Sequence, residues 1–270
     1  MNKAKIIDCI TFFDNTLMFD LRFNILKDYV DLFVICESKY DHRNNKKKLN
    51  FDSKFLDSKK VKYFVLQKPF PNGLDIWKNQ ALQREFLLNN LKSITNDEDY
   101  IFFSDPDEIP NPILFNNFEL KKKYGIFFQK CFNFKFNLFN PYETPWEGTR
   151  VCKMKNLKSI DFMRQKIKSK NLSYSFFRID KEKNIEVFNN GGWHFNNIMD
   201  PEEISVKLRT FAHTEFSENK YSNVDIIRSK IQKKIDLFQR GHQYVQVKLD
   251  NSFPKYLKSN HDKYKKFILD

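Results

Sequence analysis

Tyr100-Ile101-Phe102-Phe103-Ser104-Asp105-Pro106-Asp107-Glu108-Ile109-Pro110 is the stretch on which the fold of this chain turns. Its first four residues form a continuous apolar run, the mark of a strand buried on both faces. Two carboxylates follow at i and i+2, Asp105 and Asp107, with Glu108 just beyond. Open α/β sheets bind ligands outside the carboxyl ends of their strands. Carboxylates directly after a buried strand are therefore candidate ligands for a hard divalent cation, which combines one or two carboxylates with phosphate oxygens. The competing reading is an acidic turn, where Asp and Pro are common.

Upstream, Lys5 to Phe13, Leu32 to Cys36 and Val61 to Leu66 have the β-branched, apolar character of strands. Leu17, Met18, Leu21, Ile25, Leu26 and Tyr29 recur at helical spacing and predict a helix from Thr16 to Tyr29. A second helix is predicted over Ile76 to Leu91, after the Pro69 to Gly73 turn. Strands alternating with helices predict an α/β fold with a mostly parallel central sheet flanked by helices.

Downstream, Ile126 to Leu138 alternates aromatic and polar residues and predicts an antiparallel strand. Asp200-Pro201-Glu202-Glu203 combines an N-cap, a proline at the first position and a capping-box Glu, so a helix should run to about His213. Another is predicted from Asn223 to Arg240, stopped by Gly241. The C-terminal part is thus expected to be helical. No Pro/Gly/Ser-rich linker divides the chain, which predicts a single domain over 1–270.

Hydrophobic residues make up 41% and charged residues 30%, which excludes a disordered chain. The formal net charge is +13, but the lysines are spread out, and only Lys46 to Lys48 and Lys121 to Lys123 form runs. The charge admits an anionic membrane surface or a phosphorylated ligand. No zinc-finger, RNP or basic-zipper pattern accompanies it, so nucleic acid is not an expected partner. Cys9, Cys36, Cys131 and Cys152 lack CxxC spacing and are expected to be buried free thiols of a reducing compartment. No apolar run approaches the roughly 20 residues of a membrane span. A cytoplasmic protein, at most peripheral at a membrane surface, is expected.

Two further groups carry candidate chemistry. In Asn190-Gly191-Gly192-Trp193-His194-Phe195 the glycines allow a tight turn or a close approach to a ligand. His194 is a candidate third metal ligand, and Trp193 can stack on a sugar or base. A turn with a buried tryptophan and a satisfied histidine explains the same residues. Lys207, Arg209 and His213 can meet phosphate or acceptor, or form a solvated helix face.

These residues together resemble glycosyltransferase family 17. The motifs that carry the resemblance keep their order along nearly the whole chain. They are Leu21-Arg22, Val30 to Ser38, Lys48-Leu49-Asn50-Phe51, Gln83-Arg84, Ser104 to Pro110, Trp146-Glu147-Gly148, Met163-Arg164, Gly192 to Phe195, Lys207 to Glu215, and Phe253 to Leu257. The chain departs from the family pattern at Gln80, where an acidic residue is expected, and at Asp14-Asn15.

The resemblance implies a GT-A-like nucleotide-sugar-binding fold, UDP-N-acetylglucosamine as donor, Mn²⁺ or Mg²⁺, and inversion at the anomeric carbon. It makes 1–110 the nucleotide-sugar-binding half and 111–270 the acceptor-side half, the acceptor being a glycan or glycoconjugate. Asp105, Asp107 and His194 are the expected metal ligands. Glu37, Lys48, Arg84, Asp105, Trp193 and Lys207 are expected on the donor. Glu147, Glu108 and Glu215 are alternative bases for the acceptor hydroxyl. Two rival readings stay open: a non-catalytic basic module for RNA or an anionic surface, and a degenerate transferase that binds a donor without turnover.

Overall fold

The computed structural model of the chain describes residues 3–210 and 218–270. Its centre is the strand set around the opening stretch: β1 (Ile6–Phe12), β2 (Leu32–Ser38), β3 (Val61–Leu66) and β4 (Tyr100–Ser104). All four are parallel, in the order β3-β2-β1-β4. Helix α1 (Thr16–Leu26) joins β1 to β2, and α2 (Ile76–Leu91) joins β3 to β4. Both helices start on a side-chain cap: Asn15 accepts from the Met18 amide, and Asp75 from the Lys78 amide.

The apolar runs look unbroken in sequence because each strand feeds two cores. Ile10, Phe12, Phe33, Ile35 and Phe102 pack on one face with Leu21, Leu26, Leu257 and Tyr264. Ile7, Cys9, Val34, Cys36, Ile101 and Phe103 pack on the other with Leu87, Leu91, Ile160 and Met163. Alternate residues thus go to opposite layers of helix, as the period of two along a strand requires.

Beyond β4 the sheet becomes mixed. Short β5 (Glu108–Pro110) follows the carboxylate turn; then come β6 (Tyr124–Asn133), β7 (Leu138–Phe139) and β8 (Trp146–Lys153). Strand β8 lies antiparallel between β4 and β6. Strands β9 (Ile185–Phe188) and β10 (Gly192–Asn196) run parallel to β6, and β5 is antiparallel to β10. The result is a mixed α/β molecule with a large central sheet flanked by helices.

The remaining helices are α3 (Ile160–Lys166), α4 (Pro201–Thr210), α5 (Asn219–Ser222), α6 (Val224–Gln232), α7 (Lys255–Ser259) and α8 (His261–Tyr264); a last short strand, β11 (Val245–Gln246), pairs with β7. The strand expected to reach Leu138 breaks at Phe134, whose φ of 66° is left-handed, before β7 resumes. The helix expected to reach Arg240 ends at Gln232. Lys234 adopts φ 56°, Ile235 bridges to Gln243, and Asp236 binds Arg240, so Gly241 closes that turn rather than a helix. The expected extension of α4 to His213 lies outside the described residues. All four cysteines are free and buried. No described helix is long and apolar enough to cross a membrane.

Candidate functional site

At the carboxyl end of β4 the chain makes a tight turn. The Glu108 amide donates to the Asp105 carbonyl at 3.0 Å, and the Asp105 amide donates to Glu108 Oε2 at 3.1 Å. Strand β10 then fixes the turn from the side. Its register sets Gly192 opposite Pro110 and His194 opposite Glu108, and the Phe195 amide donates to the Asp107 carbonyl at 2.8 Å. A Cβ on Gly192 would lie 2.1 Å from the Ile109 carbonyl oxygen, and the residue adopts φ +123°. Gly192 therefore serves a close backbone approach to β5, and Gly191, whose Cβ would lie 2.7 Å from the Phe128 nitrogen, serves one to β6.

Alternation along β10 divides the two aromatic candidates. His194 shares the face of Glu108, while Trp193 turns into the core and donates its indole N–H to the Ser252 carbonyl at 3.0 Å. Trp193 is thereby removed as a stacking platform for the donor. The ring that does reach this face is Trp146, 4.5 Å from the His194 ring and donating to Glu108 Oε1 at 2.7 Å.

The carboxylates divide by burial. Glu108 is fully buried and takes hydrogen bonds from Trp146, from Arg164 (2.9 Å to Oε2) and from the Asp105 amide. No proton-accepting position on it faces solvent, which corrects its assignment as a base. Asp105 is open at its side chain but committed to Arg164 at 2.7 Å, with Arg84 at 3.9 Å. Burial would raise its carboxyl; Arg164 and Arg84 outweigh that and hold it below the usual range.

Asp107 is largely buried, and its two oxygens face His194 Nε2 at 3.7 Å and Lys207 Nζ at 3.9 Å. Burial alone would raise the Asp107 carboxyl and lower the His194 imidazole. Their neighbours reverse both: His194 and Lys207 hold Asp107 well below the ordinary carboxylate range, and Cys131 and Asp107 hold His194 well above the ordinary imidazole range. Among the described residues no group of three or more His, Cys, Asp or Glu is arranged to hold a metal ion. Asp107 and His194 make a two-donor set, with Asp105 drawn toward the arginines.

Arg84 is buried, paired with Asp161 at 2.8 Å and packed over the Phe103 ring, and its Nε has no partner. Lys207 also donates to Asn197 at 2.9 Å. Glu37 is fully buried at the end of β2, where it accepts from Lys47, from the Asn50 and Phe51 amides and from the Tyr63 hydroxyl. It shapes the loop after β2 and has no oxygen left for a donor, which corrects its assignment there. Lys48 points to solvent, and its neighbour Lys47 is the lysine that Glu37 holds. Glu147 keeps part of its carboxylate open but is tethered to the Ser169 amide at 3.1 Å and to Arg150 at 3.0 Å. Glu215 lies outside the described residues.

Sequence reasoning gave no role to three residues of this site. Arg164 ties α3 to both Asp105 and Glu108. Arg22 reaches from α1 to Asp8 at 2.7 Å and to the Glu108 carbonyl at 2.7 Å, pinning the turn from beneath. Asp14, at the rim after β1, has its carboxyl raised by lost solvation against the pull of Lys207 and Lys47. The motif matches included both arginines, but nothing local in sequence says that an arginine is buried. The loops after β2 and β3 and the first turn of α2 line an open cavity of about 570 Å³, with His42, Arg43, Asn44, Trp77 and Asn79 among its residues. It lies on the carboxyl-end side of the parallel strands.

Residues 1–131 match the family model described as glycosyltransferase family 17. No curated protein matches the chain. Among solved structures, the chain is similar to a glycosyltransferase involved in the glycosylation of the major capsid of PBCV-1. The identity is 10% and the TM-score 0.32, over 69% of this chain and 82% of that one. The resemblance read from the motifs thus holds over residues 1–131, and that family match supports a role in glycosyl transfer.

Proposed function

We propose that the chain is a metal-dependent, inverting glycosyltransferase that moves a sugar, N-acetylglucosamine, from a UDP-sugar to a hydroxyl of a glycan or glycoconjugate. The observation that carries this reading is the pinned strand-end turn, which turns Asp107 toward His194 and Lys207 while Arg84 and Arg164 stand behind Asp105.

The donor set suits a hard cation that takes its other ligands from phosphate and water: one carboxylate and one imidazole nitrogen lie 3.7 Å apart on the same face. Asp107 and His194 would hold Mn²⁺ or Mg²⁺, with Asp105 contributing through water. Bound there, the cation supplies neutralisation of the charge that develops on the departing diphosphate. Lys207 adds a positive charge on the same side, and Arg84 fixes Asp105 and Asp161 in place. The cavity at the start of α2 would take the donor's nucleoside end.

Glu147, expected from the sequence, and Asp14, a new candidate, are proposed as acceptors of the hydroxyl proton. Glu147 is paired with Arg150 and adjoins Gly148, whose carbonyl accepts from Arg164, and the Asp14 carboxyl is raised by burial against the pull of Lys207, which suits a base.

Thermal stabilisation by a panel of nucleotide-sugars, each with and without Mn²⁺, tests the reading. A shift with UDP-sugars only when metal is present supports it, since ligands that bind the native state raise its apparent stability. Stabilisation without turnover on any glycan acceptor would mean a degenerate transferase. No shift with any UDP-sugar would turn the reading to a binding module.

A further inference from the structure

The segment after α3 has no part in the chemistry above and breaks the usual rule for a protein surface. Phe176, Phe177 and Ile179 are 88%, 87% and 94% exposed, three large apolar side chains within four residues. Scattered exposed apolar residues need no explanation, but a contiguous patch does. Leu172, at the near end of the same loop, is exposed as well.

The loop is built, not frayed. Buried Asn171 donates to the Lys166 carbonyl at 2.8 Å and to the Glu182 carbonyl at 3.0 Å, closing the neck. Turns across Ser175 to Arg178 and Arg178 to Lys181, at 2.9 and 3.2 Å, shape the tip. Below the neck, Ser169 is held by Glu147, and the Ile167 carbonyl by Arg150 at 3.1 Å. The apolar tip is thus mounted on the framework that carries Arg164.

Charge identifies what covers it. Lys166, Lys168, Lys170, Arg178, Lys181 and Lys183 fall in the stretch 166–183 that carries the tip, against only Asp180 and Glu182. Asp180 is itself paired with Arg178 at 2.7 Å and Lys181 at 3.2 Å. An apolar tip within a basic collar matches a surface with anionic groups outside and hydrocarbon beneath.

We propose that the loop 172–182 inserts Phe176, Phe177 and Ile179 into an anionic lipid surface, with the surrounding lysines on the headgroups. This stands independently of the transfer reaction. The loop is tied to the Asp105 to Glu108 turn only through α3 and Arg164.

Co-sedimentation of the full chain with phosphatidylcholine vesicles, with and without about 30% phosphatidylserine, tests this at near-physiological salt. The chain should pellet with the anionic vesicles and not the neutral ones. Phe176→Ser/Phe177→Ser/Ile179→Ser should cut the partition coefficient at least about tenfold. Its melting temperature should be unchanged, because the replaced side chains are almost fully exposed. Lys59→Glu/Lys62→Glu/Lys68→Glu, a charge reversal of exposed lysines at the far sheet edge formed by β3, should reduce binding far less. The proposal is overturned if the chain does not pellet with anionic vesicles. It is equally overturned if the loop variant binds as the wild type does, or if both variants lose binding alike, which would make diffuse charge responsible. A wild-type dimer that the loop variant converts to monomer, without vesicle binding, would assign the tip to a second copy instead.

Discussion

Asp107 and Glu108 are neighbours with opposite tasks, and their partners show it. Asp107 has two cationic neighbours, His194 at 3.7 Å and Lys207 at 3.9 Å, and is the carboxylate proposed to take the ligand. Asp107→Asn should reduce sugar transfer at least about 100-fold with little change in melting temperature, because it removes charge and not volume. Near-wild-type turnover in that variant would sink the metal assignment. Glu108, by contrast, is held underneath by Arg164, and both are buried. Arg164→Ala leaves a buried carboxylate with one cation fewer and should cost about 3–5 kcal/mol of stability. Chemical denaturation would read it, and Glu108→Gln added to Arg164→Ala should restore part of the loss. The base is decided by comparing Glu147→Gln and Asp14→Asn. The variant lacking the base should lose the acidic limb of the pH–rate profile along with turnover. A variant that only loosens the Ser169 tether should lower the melting temperature and keep that limb.

At the scale of elements, the site depends on β5 and β10 lying unusually close. Gly192→Ala would force a side chain onto a left-handed backbone and into the Ile109 carbonyl. About 2–4 kcal/mol of destabilisation is expected, with transfer falling in parallel because His194 and the Asp107 carbonyl are held by the same register. An unchanged melting temperature would mean that the two strands can part without cost. This pairing marks the limit of what the sequence discloses. Strands β1 to β4 and helix α2 were legible because apolar runs and helical spacing are local signals, and Ile76 and Leu91 bound the helix as read. The ends of α6 and β6 were not, because they are set by left-handed residues at Lys234 and Phe134 that favour no obvious residue type. Within the site, the carboxylate turn was legible from its place after a buried strand. The burial of Glu37 and Glu108, and the turning of Trp193 into the core, depend on strands 50 or more residues apart or on loops that fold back. No window of sequence contains them.

The whole molecule joins its two ends. Phe253, Leu257 and Tyr264 sit in the same core as Phe12, Leu21 and Leu26, and the Tyr264 hydroxyl donates to Asp20 at 3.1 Å across almost the full chain. Strand β8 is inserted between β4 and β6, so the sheet runs on from the 1–110 half into the 111–270 half without a seam. These contacts favour one cooperative unit over two independent domains. Calorimetry should then give a single transition whose calorimetric and van't Hoff enthalpies agree. Removing residues 253–270 should be severe. Each large apolar side chain buried from water contributes about 1.5–3 kcal/mol, and three of them come close to the 5–15 kcal/mol that holds an ordinary domain together. The shortened chain should therefore fail to show a cooperative melt, although it keeps every proposed donor, metal and base residue. Two resolved transitions in the full chain, or a truncated chain that still melts cooperatively and responds to UDP-sugars, would instead make the parallel half a domain in its own right. In that case the C-terminal helices would be cladding on the nucleotide site, and the tie between α1 and Tyr264 would matter for stability alone.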